Sequence, residues 1–463
     1  MSESDEYDVI VVGGGPAGEN AAQYAVQGSD RTAAIVESEL LGGECSYFAC
    51  IPSKAMLRPL DVRAVAAHLG GLSGVPDVDV EGLLARRDSW VAQYDDAGQV
   101  SWAEGAGLTV VRGHGRLTGE RTVAVGDRTL TAREAVVIAT GSVGVIPPVL
   151  AGLAPWTSRD ATGVREVPEH LVIVGGGVVS CEAARWMRAL GSRVTLLVRG
   201  QGVLAPFEPF AGSLVLDALR ADGIDVRLDT EVSAATRDAA EDTGLGRIHG
   251  GEVRLTLSSG ERIEATELLV ATGRRPATDG LGLEAVGLTA DDLRGAPSGG
   301  SLPDWLHTVG DINAEAPLTH WGKYQARMVG ARIAARAGHG TEPVAPAFVP
   351  VPQVVFTDPQ VAAVGLTARQ AEAAGRAFST RDQELSSTTG AVLLRDDLVG
   401  SARLVVDDET DTLIGATFVG PEVGDLVHAA TIAIVGQVPL DVLRHAVPSY
   451  PTSSEIWLRL LEG

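Results

Sequence analysis

A chain of 463 residues is longer than one ordinary hydrophobic core supports, so two or three domains are expected. With 45% hydrophobic and 21% charged residues the composition is globular, and a formal charge of −23 argues against nucleic acid or anionic membrane surfaces as partners. The acidic residues are scattered, which reads as a solvated surface. No apolar run reaches the length of about 18 residues that a membrane span needs. The polar start MSESDEYD lacks a secretory pattern, so a cytoplasmic location is expected. Three cysteines in such a chain make no structural disulfide framework, and a pair in a reducing compartment is catalytic or metal-binding. Only two of the 37 Lys and Arg residues are lysines, Lys54 and Lys323, as if an ammonium were wanted there.

The first element is the run YDVIVVGGGPAGENAA at 7–22, an apolar β-branched stretch, a glycine cluster and an Ala-rich helical pattern. Gly13, Gly15 and Gly18 form GxGxxG at this strand-to-helix turn, where glycines let the backbone approach a pyrophosphate set on the helix N-terminus. The next strand, RTAAIVES, carries Glu37 near its end, placed to accept from ribose hydroxyls. The segment GGECSYFACIPSK at 42–54 follows, with Cys45 and Cys50 five residues apart. On an ideal helix their Cα atoms would stand about 8–9 Å apart, too far for a disulfide, so a bridge demands a local distortion. Strained, accessible disulfides are the easily reduced ones, and a helix start favours thiolate. Zinc is disfavoured because no second Cys or His pair stands at ligand spacing.

The strand–glycine–helix design repeats in HLVIVGGGVVSCEAA at 170–184, with Gly175, Gly177 and Ser180 at the three glycine positions. The following strand, RVTLLVR, ends in Val198 and Arg199 rather than in an acid. An arginine suits a 2′-phosphate, so NADPH is expected over NADH. From about Pro350, strand-like runs (QVVFT, ARLVVD, LIGATFVG) precede a helical pattern at 424–434, which indicates a separate α+β domain, with PAFVPVPQ at 346–353 as the joint. The fold class is α/β: two doubly wound, Rossmann-like nucleotide-binding domains plus a C-terminal α+β domain.

With those residues in hand, the chain resembles the pyridine nucleotide–disulfide oxidoreductases from end to end. The resemblance rests on VVGGGPAG, GGECSYFACIPSK, VVIATGS, VIVGGG, ATGRRP, TVGDI and VVFTDPQVAAVG in the family's order. It implies FAD held by residues 1–150 and 273–348, a nicotinamide cofactor on 151–272, and a dimerisation domain at 349–463. Gly43, Thr140, Gly141, Gly273 and Gly310 fall in these blocks as expected cofactor-binding positions. By the same resemblance Cys45 would exchange with substrate, and Cys50 would face the flavin as a charge-transfer thiolate. Asp311 would bind the ribityl chain, and Lys54 would sit near the flavin N5 and pair with Glu182. Cys181 reads as a small core residue.

The family further implies a homodimer in which the C-terminal segment completes the partner's active site. Disulfide-reducing relatives carry a His there, oriented by a Glu five residues on. Here the segment is HAVPSYPTSSE, with Glu455 in the orienting place and Tyr450 where the His would be. A tyrosine with a pKa of about 10 is a poor proton shuttle at neutral pH. His445 is the alternative proton carrier. The expected activity is therefore electron transfer from NADPH through FAD to a Cys45–Cys50 disulfide and on to a small-molecule acceptor. The alternatives are a flavin-level quinone or soft-metal-ion reductase, and a flavoprotein subunit of a larger complex like dihydrolipoamide dehydrogenase. No C-terminal cysteine pair is present to hand over a metal, which weakens the metal version.

Overall fold

The computed structural model describes residues 5–295, 302–346 and 348–462; Ala347, inside the expected joint, lies outside them. The chain divides into two compact units, Met1–Pro52 with Asp88–Val145 and Arg274–Ala345, and Ser53–Arg87 with Ile146–Gly273 and Pro346–Gly463.

The first unit is organised on one seven-stranded sheet. Five strands are parallel, in the order Leu108–Arg112, Ala33–Glu37, Glu6–Val12, Arg128–Ile138, Leu306–Thr308. The long Arg128–Ile138 strand also begins an antiparallel ribbon with Thr122–Val125 and Gly115–Gly119, which no local motif announces. Alternation explains why this sheet is buried on both faces. Ile10, Val12, Ala34, Val36, Val136 and Ile138 pack to one side with Leu117, Val123 and Leu281. Val9, Val11, Ala33, Ile35 and Val137 pack to the other, under the helices Pro16–Val26 and Thr319–Arg336. Those two helices lie close together: a Cβ on Gly330 would come within 2.7 Å of Tyr24 Cβ.

The second unit contains a four-stranded parallel sheet, Asp225–Arg227, Arg193–Leu197, His170–Val174, Glu267–Val270. A three-stranded antiparallel ribbon, Val232–Arg237, Val253–Leu257 and Arg262–Ala265, accompanies it. Trp156 and Trp186 are the largest side chains sealed in its core, and Cys181 is sealed there too, as expected. Residues 353–420 form a five-stranded antiparallel sheet, Gln353–Val355, Gln360–Gly365, Thr412–Gly420, Ser401–Asp407, Phe378–Glu384. Phe418 and Leu404 of this sheet pack with Ala430 and Ile434 of the Leu426–Val435 helix and with Leu460 near the C-terminus, giving the expected α+β arrangement. Among the described residues, no helix is long and apolar enough to cross a membrane.

Candidate active site

At the first glycine cluster the backbone conformation is unavailable to other residues: Gly13 has φ +107°, and a Cβ on it would stand 2.4 Å from the Ala139 carbonyl oxygen. A Cβ on Gly18 would stand 1.9 Å from the Gly13 oxygen, so this glycine lets the Pro16–Val26 helix close onto the turn. Gly15, by contrast, faces open space: no atom lies within 4 Å of where its Cβ would be. Gly15 is the N-cap of the helix, with no side-chain capping bond and Pro16 in the first turn, so the helix N-terminus is left clear for an anion. Glu37 Oε2 accepts from the Gly14 amide at 2.7 Å and Oε1 from the Glu39 amide at 2.7 Å, which fixes the carboxylate at the end of its strand. These features fit the pyrophosphate and ribose of FAD.

The same unit sets the remaining FAD candidates around the turn. Gly310 and Asp311 open the short turn Gly310–Asn313. Asp311 Oδ2 accepts from Ser142 Oγ at 2.6 Å, and Arg274 donates to Ser142 at Oγ (2.7 Å) and at the carbonyl (2.6 Å). Thr140 Oγ1 donates to the Ala277 carbonyl at 2.9 Å, and Gly141 has φ +74° with open space beside it. Ser142 and Arg274, which tie these segments together, were not singled out from the sequence.

The distortion demanded by the cysteine spacing is present. A short helix, Gly43–Tyr47, starts behind Gly42 and Gly43, which have φ +109° and +59°. It stops at Phe48 (φ −130°, ψ 0°), and a new helix, Cys50–Ala67, begins two residues later. Phe48 is buried and stacks on Tyr94 with ring centroids 5.6 Å apart, which anchors the break. Cys45 and Cys50 are thereby brought into side-chain hydrogen-bonding contact. Cys50 Sγ also lies 3.4 Å from Thr319 Oγ1, a partner 269 residues away that no local pattern announces. The Cys45 thiol is pushed strongly up, first by its hydrogen bond to Cys50 and then by burial, while Thr319 and Lys323 act in the opposite sense. Cys50 stands at the start of an 18-residue helix, where the dipole favours a thiolate. Buried Glu19, hydrogen-bonded by Gln99 at 3.2 Å, is raised to about 7 by desolvation, against the pull of Lys323 and with Glu37 adding to it.

In the second unit the glycine turn is repeated. Gly175 has φ +139°, a Cβ there would stand 2.3 Å from the Ala271 oxygen, and Gly177 faces open space. Ser180, fully buried, takes the third position with Oγ 3.5 Å from the same Ala271 oxygen, so the departure from glycine is accommodated. A Cβ on Gly176 would meet Val198 Cγ1 at 2.6 Å, where its counterpart Gly14 meets Glu37. Arg199 is exposed just past the strand. Gly273, with φ +135°, has open space beside it. Lys54 Nζ and Glu182 Oε2 are 2.7 Å apart, Glu182 Oε1 accepts from the Phe356 amide at 2.9 Å, and the ammonium stands 4.6 Å from the Phe356 ring centroid. Glu182 is buried, so its charge is compensated by one cation and one amide.

The C-terminal pair is arranged differently from its spacing. Tyr450 is 74% exposed, whereas Glu455 Oε2 accepts from the Gly390 amide at 2.9 Å; no hydrogen bond joins the two. His445 is exposed as well. Exposed apolar side chains collect in the same stretch, with Ile432, Val442 and Val447 more than half exposed, the kind of surface that a partner covers.

Known proteins share this architecture. The family described as Pyridine nucleotide-disulphide oxidoreductase matches residues 7–298, and its dimerisation domain matches residues 351–460. Dihydrolipoyl dehydrogenase 3 of Pseudomonas aeruginosa is 32% identical, over 97% of this chain and 96% of its own length. A mercuric reductase of Streptomyces lividans is also 32% identical, over 97% of this chain and 94% of its own. The structure of the Cu(II) complex of the HOCl-induced flavoprotein disulfide reductase RclA from Escherichia coli superposes with a TM-score of 0.82 at 21% identity, covering 99% of both chains. LpdA from Mycobacterium tuberculosis gives 0.80 at 24% identity, covering 98% of this chain and 99% of its own. The chain thus belongs to the pyridine nucleotide–disulphide oxidoreductases: it is a flavoprotein disulfide reductase of the kind that uses FAD and NAD(P)H and carries its own dimerisation domain.

Proposed function

We propose that this enzyme oxidises NADPH and delivers the electron pair through a Cys45–Cys50 disulfide to a small acceptor, a disulfide or a related electrophile. The observation that carries the reading is the helix break at Phe48, which puts the two sulfurs in contact. FAD, when bound over Gly13, Gly15, Gly18, Gly43 and Glu37, with Thr140, Gly141, Gly310 and Asp311 along its length, supplies the two-electron relay between nicotinamide and cysteines. Cys50, at the helix start, is the thiol that faces the relay, and Cys45 is the one that exchanges with substrate. Lys54, held by Glu182, is the ammonium that the family resemblance assigns to the neighbourhood of the flavin N5. Val198 and Arg199 favour the 2′-phosphate of NADPH over the bare ribose of NADH, with Gly175, Gly177 and Gly273 shaping that nucleotide's bed. We assign residues 1–150 and 273–348 to the FAD domain, 151–272 to the NADPH domain and 349–463 to the interface of a cytoplasmic homodimer.

An anaerobic NADPH titration tests this. Two electrons should produce a long-wavelength thiolate-to-flavin absorbance band that is absent in Cys50→Ser. Bleaching without that band would remove the thiol mechanism. A second reading, direct reduction of a quinone or a soft metal ion by the flavin, is favoured by the exposed Tyr450, which Glu455 does not orient as a proton donor to a leaving thiolate. Under it, Cys45→Ser retains the natural activity.

A further inference from the structure

On the Thr319–Arg336 helix, His320, Lys323 and Arg327 are exposed at spacings of three and four residues, which sets them along one face. Gly322, Ala326, Val329 and Gly330 turn inward, and a Cβ on Gly322 would stand 3.2 Å from Ala17 Cβ of the Pro16–Val26 helix. Thr319, which touches both Cys45 and Cys50, stands at the head of the helix. Lys323 is one turn further on and Arg327 one turn beyond that. Arg327 lies 6.0 Å over the Tyr324 ring, and Tyr324 stacks on Trp321 at 5.2 Å. No described carboxylate forms an ion pair with Lys323 or Arg327. Buried Glu19 is the acid that acts on Lys323, and burial holds its carboxyl largely in the neutral form up to about pH 7.

Two like charges at i and i+4 repel each other. In a chain with a net charge of −23, the Lys323–Arg327 pair, one and two turns from the residue that touches the redox cysteines, runs against the overall charge. The use of lysine is a second departure, since Lys323 is one of two lysines in the chain. A lysine places a compact point charge on a flexible stem, suited to meeting one anionic group of a mobile ligand.

We propose that Lys323, backed by Arg327, selects an anionic acceptor: a small disulfide or related electrophile bearing a carboxylate, sulfonate or phosphate docks on the ammonium with its reactive sulfur at Cys45. This rests on Cys45 being the exchange thiol. For a disulfide RS–SR′, Cys45 thiolate forms the Cys45–SR bond and releases R′S⁻. Cys50 thiolate then forms the Cys45–Cys50 bond and releases RS⁻. Both leaving thiolates take a proton from solvent, and NADPH restores the electron pair. The same ammonium opposes the effect of Cys50 and burial on the Cys45 thiol.

The test compares two alkylating agents of nearly equal size, iodoacetate and iodoacetamide, on the NADPH-reduced holoenzyme, with modification of Cys45 followed by peptide mass. The iodoacetate-to-iodoacetamide rate ratio should fall roughly five- to tenfold in Lys323→Gln, recover in Lys323→Arg, and fall less in Arg327→Gln. In wild type, 0.5 M salt, a concentration with a screening length of only about 4 Å, should bring the ratio toward that of Lys323→Gln. A ratio unchanged in Lys323→Gln, or an equal slowing of both reagents, overturns the proposal. If enzyme alkylated at Cys45 still turns over its acceptor, the exchange-thiol reading fails instead, and the ratio reports on Lys323 regardless.

Discussion

The amide of Gly14 donates to Glu37 Oε2 at 2.7 Å, while in the second nucleotide fold the methyl groups of Val198 fill the corresponding place against Gly176. One glycine turn is thus closed by a hydrogen-bonded acid and the other by an apolar side chain. The difference bears directly on which ribose each can accept, since an acid binds the 2′-hydroxyl and repels a 2′-phosphate.

Val198→Glu combined with Arg199→Ala should therefore reverse the coenzyme preference. kcat/KM with NADPH is expected to drop by about 100-fold, the loss of one charge-assisted contact and the gain of one repulsion. NADH should improve. Steady-state kinetics with both coenzymes checks this, and a ratio unchanged by the double substitution removes Arg199 from coenzyme recognition.

The glycines of the first turn should separate fold from cofactor. Gly18→Ala puts a Cβ 1.9 Å from a backbone oxygen, so the helix must move and the purified protein should be poorly folded and free of flavin. Gly15→Ala meets no protein atom, so the apoprotein should fold as before while FAD affinity falls. Circular dichroism and the visible flavin spectrum distinguish the two.

Glu19 gives a pH signature. Burial raises its carboxyl from the ordinary 4.5 to about 7, so the proton is held more tightly in the native chain. The resulting stability is fully present below about 4.5 and is lost as pH rises through about 7, a swing on the order of 3 kcal/mol. Glu19→Gln should remove this loss of Tm between pH 5 and 8 and raise Tm at pH 8. A variant that melts in parallel with wild type across that range would show Glu19 to be ionised throughout.

The Lys54–Glu182 pair should be strongly non-additive. Lys54→Met leaves the buried Glu182 carboxylate with only the Phe356 amide, a cost of about 3–5 kcal/mol, whereas Lys54→Met with Glu182→Leu removes the charge as well. Chemical denaturation of the single and double variants should show the double variant as the more stable. Both should lose rate in the reductive half-reaction, which isolates the charge's role from its structural one.

Much of this architecture was legible because glycine and strand alternation are demands of the backbone itself. Gly13 and Gly175 can be read from the sequence since their positive φ excludes other residues locally. The ribbon at 115–138 was not read, because the parallel and antiparallel halves of one long strand look alike in sequence. Cys45 and Cys50 announce a pair by spacing, but the contact depends on Phe48 finding Tyr94, which is tertiary information. Thr319 carries no local signal at all, and Lys54–Glu182 was legible only through family resemblance. The spacing of Tyr450 and Glu455 suggested a couple; Gly390 takes the Glu455 carboxylate instead.

The break between the helices Gly43–Tyr47 and Cys50–Ala67 means that the thiol pair is a property of the main chain and not of the cysteines alone. The redox function can therefore be erased genetically without altering either sulfur, by any change that lets one helix run uninterrupted through Phe48 and Ala49. Drift in those two intervening residues, which carry no redox chemistry of their own, would silence the enzyme while both cysteines stayed in place.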